Sequence, residues 1–296
     1  MLAIANYSMK GPMPAALVVV LTSALSVFLS TIGIITGGII ALVTLRISSV
    51  EGFKSLALAV ATQLAVTLAV TGNTFPAWLA TMEFLLPAWI LSVVLRETQS
   101  LAKTLQIAVI GIVAMLAVFH FSIGDTNAYW MALYQEQIKP VLDAAEIKYD
   151  AELIKQLAGM VTMLIAVFGL VLWYTLVLLG RWWQSQLYFP GQFRQDFYNL
   201  RMDNVFAYAA LAISIAGLAL GAKQGLLYDL SGLFIAAFMF QGLAVAHATV
   251  SAREASTGWL VGIYALLFIF PQTMLILATL GVIDTWMDFR RRWSSE

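Results

Sequence analysis

The sequence predicts an all-α fold, a polytopic transmembrane helical bundle with about eight or nine membrane helices. Of its 296 residues, 61% are hydrophobic and 11% are charged, whereas a soluble domain carries about 25% charged residues. Several apolar stretches also reach the roughly 20 residues that a helix needs to cross the hydrocarbon. This composition excludes a soluble enzyme, a disordered chain and a nucleic-acid-binding domain. The lack of cysteine excludes disulfides and thiolate metal sites.

Apolar windows of membrane-spanning length divide the chain. They cover residues 14–47, 53–72, 76–95, 102–122, 157–182, 204–221, 226–248 and 257–284. The first is too long for one crossing, and small and polar residues interrupt it from Ser30 to Gly38, so we expect two short helices that meet at a break. Pro271 breaks the last span. We expect residues 1–296 to form a single integral membrane domain without a cleaved signal peptide.

Two stretches are too polar to lie in lipid. Residues 123–155 are acidic and carry apolar residues at helical spacing, which predicts an extracytoplasmic amphipathic insertion of one or two short helices split at Pro140. Residues 183–203 are aromatic and basic. Because tryptophan and tyrosine favour the headgroup level, we expect a cytoplasmic interfacial segment there.

Basic residues set the orientation, because cytoplasmic loops carry an excess of lysine and arginine. If 14–47 is a hairpin, the basic residues that lie on the same side of the membrane are Lys10, Arg46, Lys54, Arg96, Lys103, Arg181, Arg194, Arg201 and Arg253. The rule thus predicts a cytoplasmic N-terminus. The C-terminus is cytoplasmic if the chain turns back at Pro271, which we favour because the three arginines at 290–292 are costly to translocate. A single crossing would place it outside.

Polar side chains inside the spans are candidates for ligand binding, because lipid makes such groups costly. The candidates are Glu83, Asp229, Gln241, His247 and Asp284. Glu83 fits a proton or cation relay, or a carboxyl group hydrogen-bonded to a neighbouring helix. Asp229 lies in the first turn of its helix, where a capping role is the alternative. His247 lies about 240° around the helix from Gln241, so the two do not share a face.

The C-terminal stretch GVIDTWMDFRRR combines acidic and basic residues. Asp284 and Asp288 are four residues apart, so they share a helix face and would repel each other if both were ionised. Arg291 follows Asp288 by three residues and can pair with it. The structural interpretation is a membrane-exit helix held by ion pairs, and the functional one is a cytoplasmic docking or gating element.

The stretch FPGQFRQDFYNLRM is a second aromatic and basic pattern. Phe193 and Phe197 share one helix face, and Arg194 and Arg201, seven residues apart, share another. An amphipathic helix on the inner leaflet and a partner-binding helix both fit this pattern. The partner-docking residues predicted from the two patterns are Phe189, Phe193, Arg194, Arg201, Asp288 and Arg291.

The sequence lacks the short motifs of common enzymes. It contains no Walker A sequence, no G-x-S-x-G, no H-E-x-x-H and no G-x-G-x-x-G. With two histidines and no cysteine, little remains to build a metal site. We therefore expect no catalytic residues, no cofactor, no metal and no enzymatic activity.

Five segments carry a family resemblance and together span nearly the whole chain. They are MKGPMPAALVVVLTSALS, ALVTLR, FPGQFRQDFYNLRM, FQGLAVAH and GVIDTWMDFRRR. In these segments the chain resembles the YybS-like family of bacterial inner-membrane proteins, a domain of unknown function. Its acidic segment is similar to the proteobacterial branch, whose genes typically lie among genes for small ribosomal proteins. The resemblance implies a bacterial inner-membrane location and a fold similar to the substrate-binding membrane components of energy-coupling-factor transporters.

Two functions fit the sequence. The first is a small-molecule binding or transport component, because discontinuous helices expose backbone groups that bind substrates and ions. The alternative is a membrane assembly or scaffold factor that acts through its cytoplasmic face. A lipid-handling enzyme is a third reading, and it would require Glu83, Asp229 and His247 to converge. The expected partners are the lipid bilayer, a small-molecule ligand and a protein on the cytoplasmic face, with no nucleic acid.

Overall fold

The structure is a computed structural model that describes residues 1–221 and 224–290. In that part of the chain every regular element is helical, which confirms the predicted fold class. In chain order the α-helices are α1 (Leu2–Ser8), α2 (Pro12–Ser26), α3 (Gly33–Arg46), α4 (Ser49–Thr71), α5 (Phe75–Ala80), α6 (Leu86–Thr98), α7 (Leu101–Ile123), α8 (Thr126–Leu133), α9 (Lys139–Ala144), α10 (Ala151–Tyr188), α11 (Gln192–Tyr198), α12 (Asn204–Ala219), α13 (Leu226–Ala252), α14 (Gly258–Ile269) and α15 (Thr273–Met287).

The predicted spans correspond to helices, and both predicted breaks are confirmed. Helical stretches long and apolar enough to cross a membrane are Ser49–Thr71, Phe75–Thr98, Leu101–Ile123, Ala151–Tyr188 and Leu226–Ala252. Shorter apolar helices are Pro12–Ser26, Ser30–Arg46, Asn204–Ala219, Gly258–Ile269 and Thr273–Met287. The first segment breaks between Ser26 and Gly33, and the last breaks around Pro271. α2, with 15 residues, is about 22 Å long, less than the roughly 30 Å of hydrocarbon.

Two prolines widen a helix instead of ending it. Pro87 follows the π-helical turn Thr81–Leu85, and Pro140 follows the π-helical turn Tyr134–Ile138. Proline lacks an N–H and its ring crowds the carbonyl four residues earlier, so a wider turn relieves the clash. The prediction that Pro140 splits the insertion was therefore wrong, because α8 continues through the π-turn into α9.

The chain divides into two compact units, the first of which comprises residues 1–108 and 171–200. α3 is buried along most of its length and forms the centre of this unit. Small residues let α10 approach it closely, since a Cβ on Gly180 would lie 2.5 Å from the Cβ of Ala41. The Trp183 side chain, also on α10, is fully buried in the same core.

The second unit comprises residues 109–170 together with residues from 201 onward. α13 forms its centre and is buried from Gly232 to Ala246. α15 packs along α13, and the two backbones meet at glycines: a Cβ on Gly242 would overlap the Leu277 carbonyl, and one on Gly281 would overlap Phe238. Side chains at these two positions would push the helices apart.

The two stretches predicted to leave the membrane have helical structure. α8 and α9 lie within residues 123–155, and α8 is tied to α10 by Trp130, whose Nε1 donates to Thr162 Oγ1 at 2.8 Å. α10 has 38 residues, so it is about 57 Å long and exceeds the hydrocarbon thickness. Its last turns form the start of the predicted interfacial segment 183–203, and α11 follows within it.

Candidate functional site

A buried acid–base pair lies at the ends of two membrane-length helices in the second unit. His120 lies in the last turn of α7, and Asp229 lies in the first turn of α13. His120 Nε2 lies 2.6 Å from Asp229 Oδ2, and the Asp229 side chain is only 1% exposed. The other carboxylate oxygen, Oδ1, is buried and makes no hydrogen bond of normal geometry to the described residues, although the backbone of Met163 lies close to this carboxylate. Buried polar atoms in native proteins nearly always have hydrogen-bond partners, so this oxygen is a candidate acceptor for a ligand.

Aromatic rings lie next to this pair. The ring centroids of Phe119 and Tyr129 are 5.7 Å apart, and those of Tyr129 and Trp130 are 5.0 Å apart, both in edge-on geometry. Phe119 precedes His120 in α7, whereas Tyr129 and Trp130 belong to α8. Asn127 also donates from Nδ2 to Gln224 Oε1 at 2.6 Å. α8 is therefore fixed by aromatic contacts and hydrogen bonds beside the acid–base pair.

The arrangement can bind a hydrogen-bond donor. His120 and Asp229 share one hydrogen bond, which leaves Asp229 Oδ1 as an acceptor for an N–H or O–H group. The Phe119 ring, whose centroid lies 6.3 Å from that of His120, supplies flat apolar surface on the histidine side of the pair. Sequence reasoning placed Asp229 among the candidates but missed His120. The rule that ionisable residues within spans are functional candidates would have found it.

A second polar cluster joins α13, α15 and the chain before α12. Gln241 and Asp284 are both fully buried. Gln241 Nε2 donates to Asp284 Oδ2 at 3.1 Å and to Thr285 Oγ1 at 3.2 Å, while its Oε1 accepts from the backbone N–H of Met202 at 2.9 Å. The structure thus brings together two of the predicted ligand-binding residues. Their hydrogen bonds are made within the protein, so they hold helices together.

Arginines neutralise both aspartates at the C-terminal end of α15. Arg290 Nη2 donates to Asp284 Oδ2 at 2.5 Å. Arg201 Nη1 donates to Asp288 Oδ2 at 2.8 Å, and its Nη2 donates to the Thr285 carbonyl. The repulsion expected between the two aspartates is relieved because each carboxylate has its own guanidinium partner. Arg291, predicted to pair with Asp288, lies outside the described residues.

The remaining ligand-binding candidates, Glu83 and His247, have other hydrogen-bond contacts. The Glu83 side chain is exposed, and its carbonyl accepts from Trp173 Nε1 at 2.7 Å. Pro87 explains this bond, because a proline leaves the carbonyl four residues earlier without its helical donor. His247 Nε2 lies 3.0 Å from Tyr264 Oη. Asp229 and His247 are 18 residues apart on one helix, about 27 Å, so these two side chains do not converge.

The predicted docking residues lie in two environments. Arg201 and Asp288 are paired with each other at the end of α15, and the others described lie in or beside α11. Phe193 stacks on Phe197 with ring centroids 5.9 Å apart, which confirms that they share a face of α11. Phe189 and Arg194 are exposed near this helix. The prediction that Arg194 and Arg201 share a helix face was wrong, because α11 ends at Tyr198.

The described residues contain no group of three or more histidine, aspartate or glutamate side chains that could hold a metal ion. The fold and its sites define a polytopic helical membrane protein with buried polar side chains at helix contacts. The chain belongs to the family described as predicted membrane protein (DUF2232), whose model matches residues 16–285. No curated protein and no solved structure matches it.

Proposed function

We propose that this protein is a small-molecule binding component of membrane transport, with its ligand site at His120 and Asp229. The observation that carries the proposal is the buried Asp229 Oδ1, an acceptor to which no described group donates with normal hydrogen-bond geometry. An ionisable pair inside membrane helices is expensive and typically marks a substrate or ion pathway. The pair lies within about one turn of the ends of α7 and α13, where a ligand can reach it without crossing the bilayer.

The chemistry of the site suggests the class of ligand. Asp229 Oδ1 accepts a hydrogen bond, so the ligand carries an N–H or O–H group, and an amine or protonated ring nitrogen would also be attracted to the carboxylate. Phe119, Tyr129 and Trp130 favour a flat, largely apolar body. The proposed ligand is therefore a small aromatic or heterocyclic molecule with a hydrogen-bond donor.

Two further features support a transport role. Both units contain a broken apolar segment, and discontinuous helices are typical of transporter binding sites. The resemblance to the YybS-like family, and through it to the fold of energy-coupling-factor binding components, supports the same role by analogy. On this proposal the protein lies in a bacterial inner membrane with both termini in the cytoplasm, and it works with a separate energising partner.

Native mass spectrometry tests the proposal on the full-length protein, purified in mild detergent from its own host. The expected result is a bound small molecule of defined mass. Asp229→Asn and His120→Gln should lose this adduct, whereas His247→Gln, which alters the other histidine of the chain, should retain it. An identical adduct in all four proteins, or lipid adducts alone, would contradict the site.

A role as a scaffold at the cytoplasmic face is the second candidate. α11 is fastened to α10 because Asp196 Oδ2 accepts two hydrogen bonds from Arg181, at 2.6 and 2.8 Å. Arg194 is exposed on this helix, and Phe189 is exposed in the link that precedes it. Photo-crosslinking in host membranes would test it: Arg194→Glu should abolish a protein crosslink that Arg253→Glu, a charge reversal at another exposed arginine, leaves intact. Crosslinks that survive Arg194→Glu would argue against docking here.

A further inference from the structure

Hydrogen bonds between polar side chains link three helices of the first unit beside the break in the first apolar segment. α2 contributes Thr22, Ser23 and Ser26, α3 contributes Thr36, and α4 contributes Gln63. Thr36 Oγ1 donates to Thr22 Oγ1 at 2.9 Å, and Gln63 Nε2 donates to Ser26 Oγ at 3.0 Å. All but Ser26 are buried, and Ser26 is partly buried.

The hydroxyl hydrogens in this cluster are largely used up. Ser26 donates its hydrogen to the Ser23 carbonyl at 2.7 Å, and Thr22 donates to the Val18 carbonyl at 2.8 Å. A hydroxyl has one hydrogen, so the oxygens of Ser26 and Thr22 can otherwise only accept. The amide nitrogen of Gln63 must therefore face Ser26, which turns its Oε1 away from this bond. What remains is the lone pairs of these oxygens, together with the Ser23 hydroxyl and the second N–H of Gln63.

Two atoms of the cluster have no hydrogen-bond partner within the described structure. They are Ser23 Oγ and Gln63 Oε1. The side chains that carry them are 0% and 4% exposed. A buried carbonyl oxygen that is left without a partner destabilises the fold. Gln63 Oε1 can only accept, so its missing partner is a cation or a hydrogen-bond donor, and the lone pairs of Ser23 Oγ can serve the same partner.

The surroundings favour a single positive charge. Ser26 is the last residue of α2, and the carboxyl end of a helix carries partial negative charge. The charged residues of α3 and α4 are far away: Arg46 is ten residues from Thr36, and Lys54 is nine residues from Gln63, about 15 and 14 Å along the helices. A divalent ion would need carboxylate ligands, and the cluster offers neutral oxygens.

We propose that Ser23, Gln63 and the neighbouring hydroxyl oxygens bind a monovalent alkali cation, with Na⁺ as the natural probe. Sodium prefers oxygen ligands, and carbonyl and hydroxyl oxygens at the end of a broken helix are the kind of site that coupling ions occupy in transporters. The cation links α2 to α4 and stabilises the break after Ser26. This site is separate from the proposed ligand site at Asp229 and does not depend on it.

Thermal unfolding of the purified full-length protein tests the cation site, followed by the fluorescence of its nine tryptophans. NaCl replaces choline chloride at constant ionic strength, so general salt effects stay fixed. The wild type should show a saturable rise in Tm with Na⁺. Gln63→Leu removes a ligand oxygen, and Ser23→Ala removes another. Each should raise the half-saturating Na⁺ concentration, and Gln63→Leu should do so by at least about tenfold, which corresponds to a loss of about 1.4 kcal/mol.

Matched controls lie in the same unit. Gln106 is a buried glutamine whose unpartnered atom is the amide nitrogen, a donor that cannot bind a cation. Ser92 is a buried serine that donates to the Ala88 carbonyl. Gln106→Leu and Ser92→Ala should titrate like the wild type.

If Gln63→Leu fails to fold, Gln63→Glu replaces it, because this variant keeps the shape and adds negative charge. It should lower the half-saturating Na⁺ concentration. The proposal is overturned if Na⁺ and choline give the same Tm, or if the Gln63 and Ser23 variants titrate like the wild type.

Discussion

Replacing Gly242 with alanine should destabilise the protein, although alanine is the better helix former. The added Cβ would overlap the Leu277 carbonyl oxygen and lie 2.6 Å from the carbonyl carbon. Carbon atoms in contact are normally about 3.5–4.0 Å apart, so α13 and α15 must separate by about 1 Å. Neither group can rotate away, because the α13 backbone fixes the position of the Cβ and the Leu277 carbonyl is part of the α15 backbone.

The magnitude follows from two opposing terms. Overpacking costs about 1–3 kcal/mol where side chains can adjust, and the upper end applies to a contact between backbones. The higher helix propensity of alanine offsets this cost by about 1 kcal/mol. We therefore expect Gly242→Ala to lower the free energy of unfolding by about 2 kcal/mol. The loss should be large because α13 is the centre of its unit.

The control is Gly111→Ala, in the middle of α7. A Cβ at Gly111 meets nothing within 4 Å, so only the propensity term applies and stability should rise by up to about 1 kcal/mol. Unfolding in mixed SDS micelles, followed by far-ultraviolet circular dichroism, measures both variants. The reasoning is refuted if Gly242→Ala is as stable as the wild type, or if both substitutions change stability in the same direction.

Three further predictions concern hydrogen bonds. Gln241→Leu should cost about 2–3 kcal/mol in the same assay, because it leaves the buried Met202 N–H and the Asp284 carboxylate short of a partner; a cost equal to that of Gln106→Leu would show that the bonds contribute little. A double-mutant cycle between Arg201 and Asp288 should give a coupling energy of at most about 1 kcal/mol, since both side chains are about one-third exposed, and a value several times larger would show a pair shielded from solvent. Trp173→Phe should lower the free energy of unfolding by about 1 kcal/mol, because it leaves the Glu83 carbonyl without its donor. In a Pro87→Ala background this cost should be smaller, because alanine restores a helical N–H. An unchanged cost in that background would contradict this account of the π-turn.

The two polar clusters of the second unit differ in how completely their hydrogen bonds are satisfied. The cluster around Gln241 and Asp284 has its hydrogen bonds made within the protein, so it stabilises the packing of α13 and α15. The pair of His120 and Asp229 keeps one acceptor uncommitted. Under the proposed function, a ligand would use that acceptor without breaking a bond on which the fold depends.

The sequence by itself determined the class of protein, the spans and the two breaks. Hydropathy acts over one helix length, and small polar residues or a proline interrupt a helix where they occur, so both signals are local. The effect of Pro140 was harder to predict. A proline inside a helix is compatible with a break or with a wider turn, and the packing around it selects between them.

Only the tertiary structure decided which side chains meet. His120 and Asp229 are 109 residues apart, and Arg201 and Asp288 are 87 residues apart. Helical spacing predicts which residues share a face of one helix, as it did for Phe193 and Phe197. It does not specify which face of another helix packs against them, because that depends on close approaches such as the one at Gly242 and Gly281. The partners of buried polar groups, and hence the candidate sites, follow from that packing.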